Sequence, residues 1–65
     1  MDMFEAFQKR LEIVQLFWEF DEMAEHGASP KAIIEMLRIA CEEYGRTAIV
    51  NSLAEDKKLL AYLQR

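Results

Sequence analysis

The sequence predicts an all-α fold: a long N-terminal helix and two shorter ones forming a small helical bundle that homodimerisation completes. Three observations carry this expectation. Chain-breaking residues fall at two places, Gly27-Ala28-Ser29-Pro30 and Gly45. Between them apolar residues recur with helical period, and no run alternates as a half-buried strand would. Third, the 65 residues are 52% apolar, yet the chain lacks the staple that a scaffold this small usually needs. Its single cysteine, Cys41, has no intrachain disulfide partner, and no Cys/His cluster offers a structural zinc site. A chain of this size buries only about 60% of its unfolded surface. Residues 1–65 are therefore read as one domain whose missing support is another protein chain.

The first helix is expected over about 3–26. Asp2 stands as N-cap with Glu5 three residues later, a capping-box pattern. Gly27 stops the helix by taking the left-handed C-terminal position. The second helix is expected over about 30–44, with Ser29 as cap and Pro30 at the first helical position, where a missing N–H costs nothing. Gly45 ends it. The remaining segment reads as one helix over about 47–64, capped by Thr47. Asn51-Ser52 is the place for any kink, because Ser52-Leu53-Ala54-Glu55 repeats the capping-box pattern.

Helix 1 is the informative element. Glu5, Gln8, Glu12, Gln15, Glu19, Glu22 and His26 follow a 3–4–3–4 spacing and form one polar stripe. Two apolar seams flank it. Phe4, Phe7, Leu11, Val14 and Trp18 make one; Ile13, Leu16, Phe17, Phe20, Met23 and Ala24 make the other. An ordinary amphipathic helix buries one stripe, so this helix needs neighbours on two sides. About 24 helical residues also span roughly 36 Å, longer than the ~28 Å diameter of a compact monomer of this size. A second copy along helix 1, related by two-fold symmetry, answers both points. The expected interface residues are Phe7, Leu11, Val14, Phe17, Trp18 and Phe20, aromatics being common anchors of interfaces.

The shorter helices each present a core face. Helix 2 offers Ile33, Leu37, Ala40 and Tyr44; the last segment offers Ile49, Val50, Leu53, Leu60 and Leu63, with Leu59 and Tyr62 able to widen it.

Twelve acids against eight bases give a net charge of −4, a handicap for phosphate binding and for anionic membrane surfaces. No stretch reaches the ~18 apolar residues of a membrane span. The start Met1-Asp2-Met3-Phe4-Glu5 lacks the positive, then apolar pattern of a secretory signal. With an unpaired cysteine as well, the chain reads as cytoplasmic.

No catalytic constellation emerges. One His, one Cys and no Gly-rich phosphate loop are present, and Cys41 lies on the apolar side of helix 2, where core packing explains it. Glu22 and His26 stand at i and i+4, but on the polar stripe, and a His near a helix C-terminus is already favoured by the dipole. Neither a metal nor a cofactor is expected. The expected function is that of a small non-enzymatic adaptor or regulator, partnered by itself and by another protein. One alternative is a helix-turn-helix DNA-binding regulator over residues 46–58. Residues 46–65 carry two acids and four bases, and Arg46, Thr47, Asn51, Lys57 and Lys58 are types that contact bases or phosphates. A lesser alternative uses the acidic row Glu5, Glu12, Glu19 and Glu22 as a nucleic-acid mimic that inhibits a nucleic-acid-binding protein.

Overall fold

A computed structural model describes residues 2–64, so the two end positions of the predicted unit lie outside the described residues. The described residues form four helices and no strand: α1 (Met3–Glu25), α2 (Pro30–Tyr44), α3 (Arg46–Glu55) and α4 (Lys57–Leu63). Each boundary has a local cause. The Glu5 N–H donates to Asp2 Oδ1 at 2.8 Å, which caps α1. At its other end His26 is the C-cap and Gly27 takes φ 91°. The Ala32 N–H donates to Ser29 Oγ at 3.2 Å and Pro30 opens α2.

The C-terminal segment differs from the expected single helix. Gly45 alone separates α2 from α3, and helix begins at Arg46 with no side-chain cap, so Thr47 lies inside the helix rather than capping it. The chain then breaks at Asp56 and not at Asn51-Ser52. Asp56 sits at φ −92°, ψ 84°, and its Oδ1 accepts the Leu59 N–H at 3.1 Å. Its carboxylate offers the backbone a local partner that competes with continued helix. The break also resets the helical register. Leu59 becomes the buried residue of α4, and Leu60, expected in the core, is only half-buried.

One core holds the four elements together. Ile13, Phe17 and Phe20 of α1 meet Ile33, Leu37 and Ala40 of α2, Ile49 of α3 and Leu59 of α4. Phe17 and Phe20 pack edge to face with ring centroids 5.6 Å apart, the favoured geometry for aromatic pairs. Leu16, Met23, Ala24, Cys41 and Tyr44 close its margins. The Tyr62 hydroxyl donates to the Ala28 carbonyl and ties α4 to the α1–α2 turn. Among the described residues no buried side-chain polar atom lacks a partner.

The molecule measures 38 × 18 × 16 Å with a radius of gyration of 12.0 Å. Its long dimension is α1, whose 23 residues rise about 34 Å. Residues 2–12 are all exposed, and Ile13 is the first buried position. The N-terminal half of α1 is thus an arm, and the bundle is built on the other half.

Candidate interaction surface on the first helix

The two apolar seams of α1 meet different fates. The seam of Ile13, Phe17 and Phe20 faces α2–α4 and is buried, with Leu16, Met23 and Ala24 at its edge. The other stays in water: Phe4 is 71% exposed, Phe7 61%, Leu11 47%, Val14 40% and Trp18 66%. Met3, at the same end of the helix, is 89% exposed. The three short helices cover one side of α1 and leave its other apolar flank in water.

Of the six residues expected at an interface, the structure leaves Phe7, Leu11, Val14 and Trp18 on this free face. Phe17 and Phe20 are corrected to core residues of the chain itself, 5% and 0% exposed. Their angular position decides this: both project with Ile13 toward α2, whereas Trp18 lies a full flank away. Phe4 and Met3 belong to the exposed row instead; the 3–4 spacing that continues from Phe7 back to Phe4 is the signal for the former.

Beside the row runs a groove between α1 and the α3–α4 break. Val14, Trp18 and Asp21 line one wall, and Ser52, Asp56 and Lys58 line the other. Asp21 is half-buried there. Burial raises its pKa above the usual carboxylate range; the neighbouring Asp56 carboxyl, by hydrogen bond and by charge, and Glu25 push the same way, while Lys58 opposes them. Asp56 is therefore engaged twice, as cap of α4 and as neighbour of Asp21.

The five positions suggested for DNA are all exposed. Arg46, Thr47 and Asn51 lie on α3, with the apolar Val50, 49% exposed, among them. Lys57 and Lys58 open α4 and line the groove together with Asp21, Glu55 and Asp56, so acids accompany both bases. The one-residue link between α2 and α3 is shorter than the 3–4-residue turn of a helix-turn-helix. The acidic row Glu5, Glu12, Glu19 and Glu22 is exposed along α1.

No group of three or more His, Cys, Asp or Glu side chains among the described residues is placed to hold a metal ion. Cys41 is a half-buried free thiol at the core margin. No helix of the described residues is long and apolar enough to cross a membrane. No protein family, curated protein or solved structure matches the chain.

Proposed function

We propose that the chain is a small non-enzymatic adaptor or regulator, acting in the cytoplasm through protein–protein contacts as a helical homodimer joined along α1. The observation that carries this reading is the exposed row Phe4, Phe7, Leu11, Val14 and Trp18. Aromatic side chains bury 150–250 Å² each, so Phe4, Phe7 and Trp18 together leave roughly 400 Å² of ring surface in water. That lies in the range of the largest apolar patch on an ordinary monomer, about 300–600 Å², which is often a functional one. Met3, Leu11 and Val14 extend the row toward the ~800 Å² that each partner contributes to a stable complex. The acidic stripe beside it, including Glu12 and Glu19, forms a polar rim of the kind that borders interfaces.

Sedimentation at micromolar concentration tests the dimer, with twice the 7.6 kDa chain mass expected. A monomer under those conditions overturns the reading. The adaptor role is tested by capture of partner proteins from the native host. Capture that survives conversion of Glu12 and Glu19 to Gln supports it. Capture confined to basic nucleic-acid-binding proteins, and lost with those two changes, assigns the surface to mimicry instead.

A further inference from the structure

We infer that the two copies pair with their α1 helices antiparallel, so that Phe7 of one copy packs on the partner's Trp18 and Leu11 on the partner's Val14. This rests on the homodimer reading and adds its geometry. The exposed row follows the 3–4 spacing Phe4, Phe7, Leu11, Val14, Trp18, and the same spacing continues to Asp21 and Glu25, with Glu22 beside them. The seam is thus apolar over its first four turns and acidic over its last.

A parallel pair sets each of those acids against its own copy. Six carboxylates then meet at one end of the dimer, outnumbering the neighbouring Lys58 of each copy, and like charges directly opposed are destabilising. It also aligns the two α1 dipoles in the same direction. The antiparallel pair reverses both terms. The acidic end of each seam lies beside the partner's α1 N-terminus, where the helix dipole is positive and carboxylates are stabilised.

Shape supports the same arrangement. The bundle covers only the second half of α1, so an exposed arm of residues 2–12 projects from it. In the antiparallel pair each arm lies along the partner's bundle, with Met3, on the groove's flank of the row, set toward the groove lined by Val14, Trp18 and Asp21. The parallel pair joins arm to arm and leaves both grooves open.

The test uses the unaltered chain, mixed from isotope-labelled and unlabelled copies, with NMR contacts filtered to those between copies. The expected result is contact between the Phe7 ring and the Trp18 indole and between Leu11 and Val14 methyls. Within one copy Phe7 and Trp18 are eleven residues apart, about 16 Å along the helix, so a contact between them is unambiguous. Dimer mass with Phe4–Phe7 contacts between copies, and none from Phe7 to Trp18, overturns the antiparallel pairing and leaves the homodimer standing. Monomer mass, or a dimer with no α1 contacts between copies, overturns both.

Discussion

At the scale of single residues, Trp18 and Phe20 separate two roles that neighbouring aromatics could share. Phe20 is fully buried among α1, α2, α3 and α4 side chains, whereas Trp18 is 66% exposed on the opposite flank. Phe20→Ala should therefore cost about 3–5 kcal/mol of folding stability, a large share of what a chain this small has. Trp18→Ala should weaken self-association by at least tenfold, as loss of an interface aromatic does, and at concentrations where it is still associated its helical signal should match that of the unaltered chain. Circular dichroism and sedimentation on the same two variants read these outcomes separately. Loss of helix in Trp18→Ala at high concentration would show that the indole supports the fold itself.

Asp21 makes a prediction about pH. Burial and the adjacent Asp56 favour its neutral form in the folded chain. Where its raised pKa exceeds the unfolded value, the folded chain holds the proton more tightly. As pH rises through that window, ionisation costs the folded state and stability falls; above the window the loss is complete. Asp21→Asn keeps the side chain's shape and removes the charge. It should raise the denaturation midpoint at neutral pH, and the gain should vanish below the carboxylate range. Thermal melts at pH 7 and pH 3 check both halves. An equal gain at both pH values would assign the effect to packing.

At the scale of elements, the sequence was legible wherever one strong signal stood alone. Asp2 with Glu5, and Ser29 with Pro30, mark the starts of α1 and α2 to the residue, and the stripe Ile33, Leu37 and Ala40 is the buried face of α2. It was less legible after Gly45, where polar residues compete for the same role. Thr47, Ser52 and Asp56 can each cap a helix, and only the tertiary position of Leu59 in the core decides for Asp56. The candidate interface shows a similar limit. Spacing finds two seams on α1, but which one α2–α4 take depends on packing, and packing places Phe17 and Phe20 in the core and not at the interface expected for them.

The α2–α3 junction is the tightest of these elements. Gly45 alone links the helices at φ 97°, ψ 136°, a conformation that residues with a Cβ adopt at a cost of about 1–3 kcal/mol. A Cβ there would meet nothing within 4 Å. Gly45→Ala should thus destabilise by that backbone cost alone, read as a shift in denaturant midpoint with an unchanged slope. A changed slope would mean that the helix pair no longer docks.

For the molecule as a whole, the relation between length and girth matters most. A helix of about 34 Å in a molecule only 18 × 16 Å across leaves apolar surface beyond the reach of its own chain. The fold is closed on one side by the core and by the Tyr62–Ala28 link, and open on the other. The net charge of −4 favours separation of copies in solution, so the proposed pairing rests on the exposed apolar row.

The arm of residues 2–12 has a further consequence for measurement. It has no buried side chain in the single copy, and a helical stretch of that length is marginal in water without tertiary support. Dilution should therefore unwind it before the bundle melts. Ellipticity at 222 nm, normalised per residue, should fall as the chain is diluted through its association range, while the signal of the buried aromatic core holds constant. The amount of helix in the molecule would then report how many copies of it are present.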